Sequence, residues 1–433
     1  MNNTQKELVT LNYNEIIFDE GIYPRVAGHD PARVQEYAQD IEQIESAQCF
    51  ISVNAENKLL DGRHRMLAYK KNAEGLTDFP VKVWKYAIAS PLESFKLACF
   101  LQDKGKSLDK EDREASAKKL YAMGAGSQKD IAAILSVTPG RVSQWLSRTI
   151  KEEKEKQKAK TFDLWLSCET QENIAEVVGV PRDTLQVWIK DFVENLEIKD
   201  STKFHFKDDF DVPIYNVWKQ QTKSNAVSHF GNSESRWLEN LLYLYTNPFD
   251  IIVDPFAGGG STIDVCKKRG RRYYVSDRKP IVEREHEIRL HDITHGLPPV
   301  PRWKDVKLVY LDPPYWKQAE GQYSTDAEDL ANMPIDQFNA ALSGLIADFG
   351  KKLAGYEESK YIALIIQPTQ WKSPERRFTD HVSEMIRAVN LPVKMRYSVP
   401  YESQQCTAQM VEWAKANKQT LVLTREIIVW EAR

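Results

Sequence analysis

The sequence predicts a multidomain chain whose three parts differ in fold class. Residues 1–90 combine short apolar strand runs with a helix that opens on basic side chains, which indicates an α+β domain. Residues 91–200 contain one helical pattern twice, which indicates a central all-α region. Residues 201–433 alternate strand runs with helical stretches, which is typical of an α/β domain with a Rossmann-like sheet. The chain of 433 residues is long enough for about three domains.

Composition limits the partners and the compartment. The formal net charge is -3, so any contact with nucleic acid must depend on local basic patches. The five cysteines have no paired spacing, which argues against a metal site or a disulfide framework and indicates a reducing cytoplasm. The N-terminus lacks an apolar signal core, and no apolar run approaches the length of a membrane span. We therefore expect no metal and no membrane partner.

A glycine-rich motif follows the apolar run Ile251–Val253 in the α/β part. Its sequence is Asp254-Pro-Phe-Ala-Gly-Gly-Gly-Ser-Thr262, and the stretch Ile263–Cys266 after it has the character of a helix. In an open α/β sheet, ligands lie beyond the carboxyl ends of the strands, where glycines let the backbone approach a cofactor closely. Many nucleotide sites and ordinary tight turns share such a loop, so the motif alone leaves both interpretations open.

Two acidic residues follow later along the same part of the chain. Asp277 comes directly after the strand run Tyr273–Ser276, where an acidic side chain is expected to hold ribose hydroxyls. Asp292 lies in the following turn and could meet the amino group of an adenine. Together they predict the nucleoside side of a cofactor pocket.

A second motif, Asp312-Pro313-Pro314-Tyr315, follows the apolar strand run Val306–Leu311. Asp312 is therefore expected at the carboxyl end of a strand, on the same edge as the glycine-rich motif. The two prolines fix φ and lack N–H groups, which leaves carbonyls free to accept from a substrate amine. Asp312 adds a carboxylate and Tyr315 an aromatic face, which suit a planar base with an exocyclic amine. The alternative for the tetrapeptide alone is a proline-rich turn that caps a strand.

With both motifs present, residues 212–433 resemble the amino-methyltransferases of DNA, which methylate adenine N6 or cytosine N4 with S-adenosyl-L-methionine. The resemblance implies that the cofactor is held by Asp254, Phe256, Ala257, Gly258, Gly260, Asp277 and Asp292. It also implies that Asp312, Pro313, Pro314 and Tyr315 are catalytic and act on a base flipped out of the duplex. Adenine is favoured over cytosine, because cytosine-N4 members of the family more often carry Ser at the position of Asp312. The stretch His229–Asn232 resembles the family element that packs on the methionine end of the cofactor.

The central region contains an internal repeat. The pattern that runs from Gln128 to Trp145 recurs from Gln171 to Trp188, at an offset of 43 residues. Each copy predicts a helix, a tight turn and a second helix, which is the helix-turn-helix pattern. The exposed polar positions that we expect to contact DNA are Arg141, Ser143, Gln144, Arg182, Asp183 and Gln186. A helical hairpin without DNA contact is the alternative for either copy.

Residues 8–86 carry a third signature. The strand runs Ile51–Val53 and Leu59–Leu60 lead into Asp61-Gly62-Arg63-His64-Arg65, where a helix opens with basic side chains. Such a helix N-terminus is suited to an anion. The segment resembles the nuclease-like domain of ParB partition proteins and the related sulfiredoxin fold, and we assign Arg63 and Arg65 to DNA binding. A salt-bridged helix start is the alternative, and the sequence here departs from the nucleotide motif of ParB proteins.

Three functions of different classes are consistent with these signatures. The first is an adenine-specific DNA methyltransferase, site-specific or relaxed, whose front half binds double-stranded DNA. The second is a ParB-like DNA-binding regulator with a cofactor-sensing methyltransferase-fold domain. The third keeps the enzyme but changes the substrate to cytosine N4 or to RNA. A homodimer and a role in restriction-modification or in a phage are left open, and we expect the cytoplasm of a bacterium or of a phage-infected cell.

Overall fold

The computed structural model describes residues 5–104, 107–199, 204–207, 209–219, 234–317, 329–370, 378–400 and 407–433. The chain divides into two compact units, Met1–Lys156 and Gln157–Arg433. A multidomain chain with mixed sheets is thus confirmed, whereas the finer division at residues 90 and 200 stays a prediction. Within the described ranges, the helices are all too short or too polar to cross a lipid bilayer.

The first unit begins with a four-stranded mixed sheet in the order β1-β4-β2-β3. Its strands are β1 (Lys6–Asn12), β2 (Ile51–Val53), β3 (Leu59–Asp61) and β4 (Pro80–Tyr86). Three helices accompany it, namely α1 (Pro31–Gln39), α2 (Ile41–Ser46) and α3 (Arg63–Asn72). The core contains the fully buried Ile51, Val53, Leu59 and Val83. The first three belong to the apolar strand runs predicted from the sequence, and Val83 lies in β4.

A helical group follows the sheet. Its helices are α4 (Pro91–Lys104), α5 (Lys110–Ala122), α6 (Gln128–Ile134) and α7 (Pro139–Leu166), the last of which contains the boundary between the units. Ser127 caps α6 through a capping box with Asp130. Ile131, Val142 and Trp145 pack into one apolar core, so Trp145 is a core residue.

The second copy of the repeat forms α8 (Gln171–Val178) and α9 (Arg182–Lys199) in the second unit. Ile174, Leu185 and Trp188 are buried together, and the partly buried Trp165 packs against them. The connections in both copies pass through a left-handed residue at the same position of the repeat. It is Ser136 (φ 53°) in the first copy and Gly179 (φ 74°) in the second.

The second unit contains a seven-stranded sheet in the order β12-β13-β9-β8-β5-β6-β7. These strands are β5 (Ile251–Asp254), β6 (Arg272–Asp277), β7 (Arg289–Leu290), β8 (Val306–Leu311), β9 (Lys360–Ile366), β12 (Val393–Pro400) and β13 (Thr424–Ala432). β13 runs opposite to the other six strands. A separate two-stranded ribbon pairs β10 (Thr369–Gln370) with β11 (Phe378–Thr379).

Helices cover both faces of this sheet. The covering helices are α10 (Ser235–Tyr245), α11 (Ser261–Lys268), α12 (Ile335–Leu353) and α13 (His381–Ala388). A further helix, α14 (Ala408–Ala416), lies between β12 and β13 in the chain. Alternate residues of each strand enter opposite cores, because successive side chains of a strand point to opposite faces. In β9, Ala363 and Ile365 pack in the core with α10 and α11, whereas Ile362 and Leu364 pack in the core with α12 and α13.

The strand order creates a switch point between β5 and β8. From β5 the chain moves outward to β6 and β7, and then returns to β8 on the other side of β5. Both neighbours of β5 are parallel to it, with Val253 paired to Val309 of β8. Ligands of open α/β sheets bind in the crevice at the carboxyl ends of strands at such a point.

Candidate active site

The glycine-rich loop is built on a buried carboxylate at the end of β5. Asp254 is 2% exposed, and its side chain accepts hydrogen bonds from the Thr262 hydroxyl (2.5 Å) and the Phe256 N–H (2.9 Å). The carboxylate therefore ties the two ends of the loop together. Gly258 and Gly260 both have positive φ, at 49° and 80°, which only glycine adopts easily. Phe256 is partly buried beside the loop, and Ala257 is buried.

Asp277 and Asp292 lie at the same edge of the sheet. Asp277 ends β6, and its carboxylate accepts the Gly258 N–H at 2.9 Å and the Lys279 N–H at 2.8 Å. Asp292 follows β7, where it accepts hydrogen bonds from Thr294 and forms an ion pair with Arg278 at 3.4 Å. Burial opposes the ionisation of Asp292, but the bonds from Thr294 lower the pKa of its carboxyl.

The second motif lies beside the first. Asp312 is the first residue after β8, the parallel neighbour of β5. The Tyr315 hydroxyl donates a hydrogen bond of 2.9 Å to Asp312 Oδ1. Burial raises the pKa of Tyr315 well above its ordinary value, which keeps the hydroxyl protonated as a donor. Pro313 is buried, whereas Pro314 and Tyr315 are partly exposed.

Three carboxylates therefore meet at one sheet edge. Burial raises the pKa of Asp254 to about 7, although hydrogen bonds from Thr262 and Phe256 lower it. The charges of Asp312 and Asp277 raise it further. The edge is consequently an environment that favours a positively charged ligand.

Other side chains at this edge were not expected from the sequence. Arg284 Nη1 donates to the Gly260 carbonyl oxygen at 2.7 Å and so holds the glycine-rich loop from outside. The guanidinium of Arg425 in β13 lies over the Tyr315 ring, 4.9 Å from its centroid. No local pattern indicates either contact, because both partners are distant in sequence. The stretch His229–Asn232 lies outside the described residues.

The polar residues of the two repeat copies have different surroundings. In the first copy, Arg141, Ser143 and Gln144 are exposed near the start of α7. In the second copy, Arg182 and Gln186 are exposed on α9, but both donate to Gln171 Oε1, at 3.1 and 3.2 Å.

Arg182 also forms an ion pair of 2.8 Å with Glu172. Asp183, the neighbouring candidate, is exposed in the first turn of α9. In the second copy, Arg182 and Gln186 therefore bind other side chains of the same copy.

The basic start of α3 is engaged in contacts within the first unit. Arg65 Nη2 lies 2.6 Å from Asp61 Oδ2, and Arg65 Nη1 donates to the Phe50 carbonyl oxygen at 3.0 Å. The Arg63 guanidinium lies over the Phe18 ring at 4.2 Å. His64 Nε2 accepts the backbone N–H of Asp30 at 3.0 Å. Arg65 thus has the contacts of a salt-bridged helix start, and binding of DNA by Arg63 and Arg65 stays a prediction.

Several solved structures are similar to parts of the chain at low sequence identity. The pNOB8-like ParB N-domain is 12% identical, with a TM-score of 0.26 over 46% of this chain and 80% of that one. ParB from Caulobacter crescentus, solved with the centromeric parS site, is 12% identical, with a TM-score of 0.23 over 41% and 97% of the two chains. A SAM dependent methyltransferase from Archaeoglobus fulgidus is 12% identical, with a TM-score of 0.28 over 46% and 92%.

Sequence comparison points to one family. A search of curated proteins found no significant match. Residues 104–284 match the N6_N4_Mtase family model, which describes DNA methylases. The matched segment covers less than half of the chain and contains the glycine-rich loop and Asp277, but it ends before Asp312. Over residues 104–284, the chain is thus similar to DNA methylases.

Proposed function

We propose that the protein is a DNA methyltransferase that transfers the methyl group of S-adenosyl-L-methionine to the exocyclic N6 of an adenine flipped out of duplex DNA. The observation that carries the proposal is the position of two loops at one switch point. The glycine-rich loop follows β5, and Asp312 follows β8, its parallel neighbour. The match of residues 104–284 to DNA methylases supports the same class of reaction.

The residues at this edge fit the proposed cofactor. S-adenosyl-L-methionine carries a sulfonium cation, which suits an edge where the carboxylates of Asp254, Asp312 and Asp277 crowd one another. Asp277 and Asp292 offer carboxylate acceptors for ribose hydroxyls and an adenine amino group. Asp254 would act indirectly, because its oxygens bind the loop itself. When bound, the cofactor supplies an electrophilic methyl group.

The second loop supplies what an exocyclic amine requires. The lone pair of such an amine is delocalised into the ring, so the site must accept its hydrogens and favour a pyramidal nitrogen. Asp312 and the carbonyl of Pro313 would accept those hydrogens, and Tyr315 would stack on the base. Tyr315 also donates to Asp312, which orients the carboxylate. Positioning then supplies most of the acceleration, with no covalent intermediate on the protein.

Duplex DNA is the proposed partner of the first repeat copy. A recognition helix fits the wide major groove of B-form DNA and not the narrow major groove of RNA. Arg141, Ser143 and Gln144 are exposed at the start of α7, where they can reach base edges or phosphates. Extrusion of the target base costs a few kcal/mol of unstacking, which DNA contacts outside the pocket can offset.

The experiment that tests the proposal is incubation of the purified full chain with unmethylated duplex DNA and isotope-labelled S-adenosyl-L-methionine. Nucleoside mass spectrometry then identifies the product, and mapping of the modified positions gives the recognition sequence. We expect labelled N6-methyladenine.

Labelled N4-methylcytosine would overturn the choice of base. Absence of any product on DNA, with cofactor binding intact, would favour a cofactor-sensing regulator, and product on RNA alone would change the substrate. Light scattering of the same preparation tests the homodimer that the sequence left open.

A further inference from the structure

Arg425 reaches the candidate site because one strand of the sheet is reversed. It is the second residue of β13, and β13 runs antiparallel to β9 and β12. The N-terminal end of β13 therefore lies at the edge where the parallel strands have their carboxyl ends. The register agrees, since Glu426 pairs with Ile366, the last residue of β9. Arg425 thus lies on the same edge as Asp254 and Asp312.

The guanidinium of Arg425 contacts two aromatic rings. Its central carbon is 4.9 Å from the ring centroid of Tyr315 and 5.7 Å from that of Trp237. Both distances fall within the range of a cation-π contact. Trp237 is 1% exposed at the start of α10, so its buried ring is a fixed packing surface for the Arg425 guanidinium. The Tyr315 hydroxyl in turn donates to Asp312 at 2.9 Å.

The charge of Arg425 matters as much as its contacts. The edge carries several carboxylates, and Asp254 is the most deeply buried of the three. A guanidinium is charged at every relevant pH and is flat, so it can stack on a ring and still offset nearby negative charge. Lysine would supply the charge without the flat stacking surface.

We propose that Arg425 is a positioning residue for methyl transfer. It covers one face of Tyr315 and holds the ring in the orientation from which the hydroxyl binds Asp312. The opposite face of the ring then takes the flipped base, and the guanidinium adds positive charge beside the ring that binds Asp312. The inference rests on the proposed function, because it assigns a role within that reaction.

The test compares Arg425→Met, Arg425→Lys and the control Arg396→Met in the full chain. Arg396 is a half-exposed arginine of β12 that pairs with Glu426 at 3.1 Å. For each variant we would measure kcat, the KM for duplex DNA, the Kd for S-adenosyl-L-methionine by calorimetry, and the dependence of kcat on pH.

For Arg425→Met we expect kcat to fall about 30-fold, the loss that corresponds to one desolvated cation-π contact. The KM for DNA and the Kd for the cofactor should stay within about twofold of the wild type. The reason is that the contact acts in the transition state and not on binding of DNA or cofactor in the ground state. The acidic limb of the pH profile should move to higher pH, since loss of a cation favours protonated carboxylates. Arg425→Lys should restore the position of that limb and recover kcat in part.

Two results would overturn the inference. One is a kcat of Arg425→Met within about twofold of the wild type together with an unmoved acidic limb. The other is an equal loss of kcat in Arg396→Met. If Arg425→Met fails to fold, as shown by loss of cofactor binding, Arg425→Lys is the deciding variant. A partial loss of its kcat supports the inference, and a kcat equal to that of the wild type overturns it.

Failure of the proposed function is distinguishable from failure of this inference. If the wild type methylates no nucleic acid, the proposed function is wrong. Crystal structures of the wild type and Arg425→Met then test the contact itself. A displaced Tyr315 ring without its bond to Asp312 supports the positioning role, and an unchanged ring with that bond retained overturns it.

Discussion

Gly260 shows how closely a single residue can be constrained by its surroundings. Its φ is 80°, and a Cβ added there would lie 2.7 Å from Arg284 Nη1 and 2.9 Å from Arg284 Cδ. The same arginine donates to the Gly260 carbonyl oxygen. A side chain at this position would therefore force Arg284 to move and would release the loop.

We predict that Gly260→Ala lowers the free energy of unfolding by about 2–3 kcal/mol and weakens binding of S-adenosyl-L-methionine. The matched control is Gly355→Ala, because Gly355 has a φ of 85° but open space around its Cβ position. The control should cost only about 1 kcal/mol, the strain of the backbone conformation. Thermal unfolding and calorimetry measure both effects. Equal losses in the two variants would show that Arg284 does not restrain the loop.

Asp312 is the residue on which the proposed chemistry depends. We predict that Asp312→Asn lowers kcat by about 100-fold or more, because an amide donates where the amine requires an acceptor. Cofactor binding should weaken far less than kcat, because the cofactor is assigned to the neighbouring loop and Asp312 contributes only one of the charges at this edge. Asp348→Asn is the control, because Asp348 is exposed on α12 and pairs with Lys351. Loss of cofactor binding in Asp312→Asn would contradict the role assigned to Asp312.

At the scale of elements, the two copies of the repeat share a backbone but differ in charge. Residues 128–150 contain three basic and one acidic side chain, whereas residues 171–193 contain two basic and four acidic ones. Phosphate contacts dominate affinity for DNA, so the first copy is better suited to it. The second copy packs instead within its own unit, where Phe192 stacks on Phe162 at 3.8 Å between centroids and contacts Phe249.

We predict that Arg141→Ala weakens binding of duplex DNA and reduces the salt slope of log K by about 1. Arg182→Ala should have a smaller effect, because the Arg182 guanidinium is already held by Glu172 and Gln171. Fluorescence anisotropy at several salt concentrations measures both variants. Equal reductions of the slope would indicate that both copies contact phosphates.

Helix α13 supports the second motif through a buried histidine. His381 Nε2 is 3.2 Å from the Thr369 hydroxyl, which bonds the carbonyl oxygen of Trp316 at 3.4 Å. The His381 ring also makes edge contacts with Trp316 and Phe338. Burial lowers the pKa of His381 to about 4, although Asp380 raises it.

We predict that His381 makes stability fall as the pH drops from about 6.5 to about 4. In that range the unfolded chain binds the proton and the folded chain does not, so protons favour unfolding. Asp254 works in the opposite direction, because its raised pKa makes the folded state bind the extra proton. The measurement is therefore the difference in unfolding midpoint between the wild type and His381→Gln across this range. A difference that does not change with pH would contradict the assignment.

The whole molecule is divided into two compact units, to which we assign different functions. The second unit contains both loops of the candidate site, whereas the first contains Arg141 and the basic start of α3. With a formal net charge of -3, the chain has no general attraction for DNA, and affinity must come from particular surfaces.

We predict that a chain without residues 1–156 still binds S-adenosyl-L-methionine but binds duplex DNA more weakly and with a smaller salt slope. Calorimetry with the cofactor shows whether the remaining unit is folded, and anisotropy then gives the DNA affinity. An unchanged affinity and slope would mean that the first unit serves a partner other than DNA.

Much of the fold was predictable because it is encoded locally. The apolar runs at 251–253 and 306–311 became β5 and β8, and the repeat became two pairs of helices with one left-handed turn position. The positions of the site carboxylates were predictable for the same reason, since a residue that follows an apolar strand run lies at the end of that strand. The division into units was less predictable, because α7 continues without a break where one unit meets the next.

The sequence by itself determined which segments form strands and helices, that Asp254 and Asp277 end strands and that Asp312 follows one, because these features depend on neighbouring residues. Only the tertiary structure decided which strands are adjacent. It placed β8 beside β5, reversed β13, and so brought Arg425 to Tyr315 and Arg284 to Gly260. Such contacts depend on the packing of the whole sheet, and no local pattern of residues specifies them.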